Sequence, residues 1–187
     1  MILFVNGFTM GCEPFRPYWS SSSKNPSEFI DAACLYFNDN HILPQNFING
    51  SGDWFGSMAW SRQSSGRNYA IANLIQLQKL LKENEVVHII SHSMGAAYAE
   101  GIIEVLAANN INIGKIVHLA PADARNIQIK NTKLQRIQLN ATGDYVLERI
   151  ANPFSKEAKL IIPNISYISN ISNKMPTKPM TKSLMSF

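Results

Sequence analysis

The chain has 187 residues, of which 45% are hydrophobic and 16% are charged, and its formal net charge is +4. This composition is typical of one folded domain and excludes an intrinsically disordered chain, and no apolar run approaches the ~18 residues of a membrane span. The positive charges lie mainly in the C-terminal part, but its lysines are scattered singly and no nucleic-acid-binding motif accompanies them, which argues against a nucleic-acid partner.

The first predicted element is a buried strand over residues 2–5, an apolar run that stops at Asn6-Gly7. No basic segment precedes this run, so it does not resemble a secretory signal. A cytoplasmic location is therefore expected by default, with export by a non-classical route left open. Cys12 and Cys34 are too few for a disulfide framework, and they form no C-x-x-C pair that would indicate zinc.

Apolar runs and helical periods alternate along the rest of the chain. Helices are predicted over residues 25–38, 67–82 and 96–108. Further strands are predicted over residues 47–48, 86–90, 115–120, 134–140, 160–162 and 165–168. The Ser-Ser-Gly segment before residue 67 is interpreted as a flexible connection. The alternation predicts an α/β fold, with a mostly parallel sheet flanked by helices.

The C-terminal segment differs from the rest of the chain. Residues 170–187 contain lysine, methionine and proline but no acidic residue, and they have neither a helical nor an alternating period. They are predicted to form a poorly ordered tail. One domain is therefore expected over residues 1–169.

The strongest candidate for a catalytic group is Ser93, in the segment Ser91-His92-Ser93-Met94-Gly95. A predicted strand precedes this segment and an alanine-rich helix follows it. A serine on such a turn adopts a strained backbone conformation with its Oγ above the sheet, and the turn requires small residues two positions before and after, here Ser91 and Gly95. The pattern alone occurs by chance in a serine-rich chain, but its flanking elements favour a nucleophile.

This segment resembles the nucleophile turn of the α/β-hydrolase family, specifically of its lipases and esterases, whose pattern is G-x-S-x-G. Residues 2–8 are similar to the strand and loop that form the oxyanion hole in these lipases, although Asn6 stands where histidine is usual. The resemblance implies a minimal α/β-hydrolase fold in which the backbone N–H groups of Phe8 and Met94 bind the oxyanion. The alternative is a plain strand and turn that needs Gly7 for its geometry.

The resemblance also implies a catalytic acid after the nucleophile and a histidine after the acid. Asp144, on the predicted loop after residues 134–140, resembles that acid, and Asp123 after the preceding strand is the alternative. Either aspartate could instead be a surface turn residue. All four histidines precede Asp144: His41, His88, His92 and His118. His88 and His118 lie in predicted strands and are expected to be structural, and the side chain of His92 is expected to leave the turn in a different direction from Ser93.

The implied activity is hydrolysis of small-molecule or lipid carboxylic esters, weak because no histidine follows Asp144. It requires neither a metal nor another cofactor. The alternative is a non-catalytic or C-terminally truncated domain that uses its cleft for binding. A fainter likeness to lipase domains of bacterial polymorphic toxins lies in residues 52–61. In this region Trp54, Phe55, Met58 and Trp60 are expected either to line an acyl pocket or to cap the core. The sequence predicts no oligomeric state.

Overall fold

A computed structural model describes residues 1–9, 15–19, 28–51, 58–140 and 166–168, and Asp144, Trp54, Phe55 and the segment 170–187 lie outside the described residues. The strands are β1 (Ile2–Asn6), β2 (Phe47–Asn49), β3 (Val87–His92), β4 (Ile113–Leu119), β5 (Arg136–Leu139) and β6 (Ser166–Ile168). The helices are α1 (Arg16–Trp19), α2 (Glu28–Phe37), α3 (Ala59–Leu80) and α4 (Gly95–Ala108), with 3₁₀ turns at Pro44–Asn46 and Ala124–Asn126.

The described strands form one sheet in the order β2-β1-β3-β4-β5-β6, and every neighbouring pair is parallel. The predicted α/β class, a parallel sheet flanked by helices, is confirmed. From β1 the chain first moves to β2 at one edge and then returns to β3 on the other side of β1. Ligands of such sheets bind outside the carboxyl ends of the strands at the point where the order reverses. That point lies between β1 and β3.

Helices cover both faces of this sheet. Ile2 and Phe4 of β1 pack in one hydrophobic cluster with α2, and Leu3 and Val5 pack in another with α3 and α4. A strand covered on both faces is apolar at nearly every position, which explains the apolar run over residues 2–5. Among the described helices, none combines the length and the hydrophobicity needed to cross a membrane.

Helix α3 begins at Ala59, well before the predicted start at residue 67, so the interpretation of the Ser-Ser-Gly segment as a flexible connection is wrong. The reason is tertiary packing against α4. A Cβ on Gly66 would lie 2.0 Å from the Tyr98 carbonyl oxygen, and one on Gly101 would lie 2.0 Å from that of Gln63. The two helices therefore touch backbone to backbone, and this contact stabilises a segment of weak helical propensity.

Candidate active site

Ser93 directly follows β3 and lies on the turn that enters α4. Its φ is 53°, in the left-handed region that costs a non-glycine residue about 1–3 kcal/mol. Hydrogen bonds from both sides hold this conformation. The amide of Ser93 donates to the Leu119 carbonyl at 2.9 Å, and the Ser93 carbonyl accepts from the amides of Ala96 at 3.2 Å and Ala122 at 3.1 Å. Ser93 thus has the strained strand-to-helix position that the sequence predicts, and its side chain is half-buried.

Gly7 brings the end of β1 against this turn. A Cβ at Gly7 would lie 2.7 Å from the His92 carbonyl oxygen, 2.8 Å from the Ser93 Cβ and 3.1 Å from the Met94 nitrogen. A side chain at this position would displace backbone, so the close approach requires glycine. The two chain segments that carry the predicted oxyanion donors, Phe8 and Met94, are therefore adjacent at the end of the sheet.

The first turn of α4 packs on the same strand end. A Cβ on Gly95 would lie 2.5 Å from the carbonyl oxygens of both Val5 and Asn6. This contact fixes the N-terminus of a fourteen-residue helix beside Ser93. The unpaired N–H groups of a helix N-terminus carry partial positive charge, which stabilises an anion placed next to them.

Asp123, the alternative acid, is bound to a different helix. Its carboxylate accepts hydrogen bonds from the Ala59 amide at 3.0 Å and from the Asn126 side chain at 2.7 Å. Met58, at the N-cap position of α3, supplies no side-chain cap. Asp123 therefore caps α3 from the loop after β4. Asp144, the preferred candidate, lies outside the described residues.

Each of the four histidines has a hydrogen-bond partner other than Ser93. The partners are Glu85 for His41, the Lys115 amide for His88, the Tyr18 hydroxyl for His92, and both Ser91 and Glu100 for His118. The expectation of structural roles for His88 and His118 is confirmed: His88 stacks on Phe37 and is half-buried, and His118 is fully buried. Burial lowers the pKa of His88. Within the described part of the chain, no hydrogen bond joins Ser93 to a histidine.

A buried polar network that the sequence did not predict lies beneath the turn. Ser91 Oγ is 2.7 Å from His118 Nδ1, and His118 Nε2 is 2.9 Å from Glu100 Oε1. Arg136 closes the network with Nε–Oε1 and Nη2–Oε2 contacts to Glu100 of 2.8 and 3.0 Å. Burial alone would raise the pKa of Glu100, but the bonds from His118 and Arg136 hold it below its ordinary value. The sequence signal for this network was a pair of charged residues in apolar surroundings. Glu100 lies inside the apolar helix α4, and Arg136 lies in the short strand β5.

The core-capping alternative is contradicted for two of the four large apolar residues of the segment 54–60. Met58 and Trp60 are 59% and 66% exposed, so neither caps the core. A cavity of about 610 Å³ lies between Arg16, Pro44, Gln45 and the Tyr69–Leu80 part of α3, and no residue of the Ser93 turn lines it. Among the described residues, no group of three or more His, Cys, Asp or Glu side chains could hold a metal ion.

Neither the models of known protein families nor the curated protein sequences contain a match to this chain.

Proposed function

We propose that this chain is a serine hydrolase of carboxylic esters or lipids, built on a minimal α/β-hydrolase fold with Ser93 as the nucleophile. The observation that carries the proposal is the left-handed φ of 53° at Ser93, on the turn between β3 and α4. A strained serine on a strand-to-helix turn is the defining feature of the nucleophile in that fold. Its place at the reversal of the strand order, where ligands of parallel sheets bind, supports the same role.

In the proposed reaction, Ser93 Oγ attacks the ester carbonyl carbon. A new C–O bond forms, the carbonyl π electrons move to oxygen, and the serine proton passes to a base. The Phe8 and Met94 N–H groups donate to the oxyanion, and loss of one such donor typically costs about 3 kcal/mol of barrier. Collapse of the intermediate expels the alcohol, which takes up a proton. Water then attacks the acyl-enzyme, releasing the acid and regenerating the serine.

The proposed activity is weak because Ser93 has no histidine partner among the described residues. A serine hydroxyl is a poor nucleophile until an adjacent base accepts its proton. The oxyanion hole and substrate binding alone supply about 10³–10⁴-fold acceleration over water. Asp144 remains the proposed acid, and its role would be to orient a base. None of the four histidines fills the role of that base, because each is hydrogen-bonded to a group other than Ser93.

The hydrogen bonds of the four histidines favour a second candidate function. A domain that retains the fold and the cleft without turnover would bind an ester or another carbonyl compound at the Ser93 turn. Such a domain needs no histidine as a base, and each histidine is hydrogen-bonded to a group other than Ser93.

Labelling with a fluorophosphonate, in which serine oxygen displaces fluoride from phosphorus, tests the nucleophile. We expect label on Ser93, its loss in Ser93→Ala, and its retention in Ser64→Ala, a control serine within α3. Hydrolysis of a p-nitrophenyl ester should be slow and should fall further in Ser93→Ala. Label on a different serine contradicts the assignment, and turnover of ~1 s⁻¹ or more, an ordinary enzyme rate, contradicts the weak activity. An ester analogue that binds without any labelling supports the second candidate.

A further inference from the structure

We infer that Asn6 is a positioning residue that holds the Phe8 N–H in place as an oxyanion donor; this inference rests on the proposed function. Asn6 is the last residue of β1 and is fully buried. Its Nδ2 donates to the carbonyl oxygen of Gly7 at 2.7 Å and to Oδ1 of Asn49 at 3.1 Å. The side chain therefore bonds the carbonyl of the same peptide group whose N–H is the proposed donor.

The bond acts on Phe8 through the geometry of the peptide. The Gly7 carbonyl and the Phe8 N–H belong to one planar trans peptide, in which the C=O and N–H bonds point in opposite directions. Fixing the carbonyl on the Asn6 side therefore fixes the N–H on the other side. Gly7 must be glycine to approach Ser93, and glycine leaves the rotation of this peptide poorly restricted. The Asn6 amide supplies the restriction that a side chain at position 7 would otherwise provide.

The Asn6 amide is itself held in one orientation. Asn49 lies opposite Asn6 in the parallel pairing of β1 with β2. Its Oδ1 also accepts from the hydroxyl of Ser51 at 2.7 Å and from the Ser51 amide at 3.2 Å. Since both acceptors of Asn6 Nδ2 are oxygens, a reversed amide would set oxygen against oxygen. The donor must therefore face Gly7.

Asn46, the last residue of the 3₁₀ turn before β2, provides a matched control. It is also fully buried, and its Nδ2 donates to the carbonyls of Ile2 at 2.7 Å and His41 at 3.2 Å, at the opposite end of β1. In both asparagines, Oδ1 has no hydrogen-bond partner among the described residues. Alanine at either position thus deletes two hydrogen bonds and one buried amide. Only Asn6 borders the Ser93 turn.

The test compares the rate constant for fluorophosphonate labelling of Ser93 in four variants. We expect Asn6→Ala to lower it about 10- to 100-fold, somewhat less than deletion of an oxyanion donor, which costs 10²–10³-fold. Asn46→Ala should change it less than about twofold at a similar loss of melting temperature, because its bonds are remote from the turn. Asn6→His, whose ring N–H can donate to the Gly7 carbonyl, should restore part of the rate. Asn49→Ala, at an exposed position, should give an intermediate loss and keeps the test decisive if Asn6→Ala does not fold.

In ester hydrolysis, the Asn6 variants should lower kcat and leave KM nearly unchanged, since the oxyanion forms after substrate binds. Equal labelling rates in wild type and Asn6→Ala, or in wild type and Asn49→Ala, would overturn the inference and leave Ser93 as the nucleophile. Equal slowing in Asn6→Ala and Asn46→Ala would also overturn it, since the effect would then be one of stability. Absence of label from wild-type Ser93 would instead refute the proposed function.

Discussion

The hydroxyl of Ser91 lies 2.7 Å from Nδ1 of His118, and both side chains are completely buried. With Glu100 on Nε2 of the same ring, the three residues repeat the residue types of a catalytic triad two positions away from Ser93. Their burial denies a substrate access to Ser91. The network instead joins β3, β4, β5 and α4, because Arg136 of β5 completes it. This network therefore has a structural role, since it connects the strand and the helix on either side of the Ser93 turn to the neighbouring strands.

Ser91→Ala and Ser93→Ala should therefore have opposite effects. Ser91→Ala leaves a buried imidazole nitrogen without its partner, which typically costs about 1–3 kcal/mol, and it should retain fluorophosphonate labelling. Ser93→Ala should lose the label and fold normally. Urea unfolding and mass spectrometry of the labelled protein measure the two effects. Label mapped to Ser91 would show that the buried pair is reactive.

Glu100→Gln should strongly destabilise the protein. It leaves Arg136 charged and buried without a counter-ion, a change that typically costs about 3–5 kcal/mol. The control is Glu104→Gln, one turn further along α4. Glu104 pairs with the more exposed Arg67 and Lys130, so we expect a loss of about 1 kcal/mol or less. Equal losses of unfolding free energy in the two variants would contradict the expectation that the buried Glu100–Arg136 pair matters more for stability than the more exposed pairs of Glu104.

The stability of the wild type should depend on Glu100 in acid. Hydrogen bonds hold the folded-state pKa of Glu100 below that of an ordinary glutamate, which is about 4.3. The folded chain therefore binds the proton less readily than the unfolded chain. Glu100 thus contributes stability above that pH and loses it as the pH falls toward its folded-state pKa. Unfolding free energies measured from pH 6 downward should fall more steeply for wild type than for Glu100→Gln, and parallel curves would exclude this contribution.

Asp123→Ala separates capping from catalysis. Loss of the hydrogen bond to the Ala59 amide should cost about 0.5–2 kcal/mol, as for other helix caps, and leave ester hydrolysis nearly unchanged in the folded protein. Asp144→Asn should show the reverse pattern, with normal folding and lower hydrolysis. The checks are thermal unfolding and the hydrolysis rate below the melting temperature. Activity lost in Asp123→Ala but retained in Asp144→Asn would identify Asp123 as the acid.

The sequence predicted the α/β class and the Ser93 turn because both depend on local patterns. Burial on two faces requires an apolar run, and a tight turn against a strand requires small residues such as Gly95. The start of α3 could not be predicted because the close contact of Gly66 with the Tyr98 backbone joins residues distant in sequence. The capping role of Asp123 and the pairing of Glu100 with Arg136 likewise join residues distant in sequence. Local patterns carry no information about such partners.

The contact between α3 and α4 has a consequence for the substitutions that this chain can tolerate. Gly66 and Gly101 each face a carbonyl oxygen of the other helix, so neither position accepts even a methyl group without separating the helices. Ser93 lies on the turn directly before α4, and α3 carries the amide that Asp123 caps. A change at either glycine would therefore shift the Ser93 turn through the packing of the two helices. If a substitution at Gly66 or Gly101 abolished the proposed activity, the cause would be a packing defect between the helices, and every residue of the Ser93 turn would be unchanged.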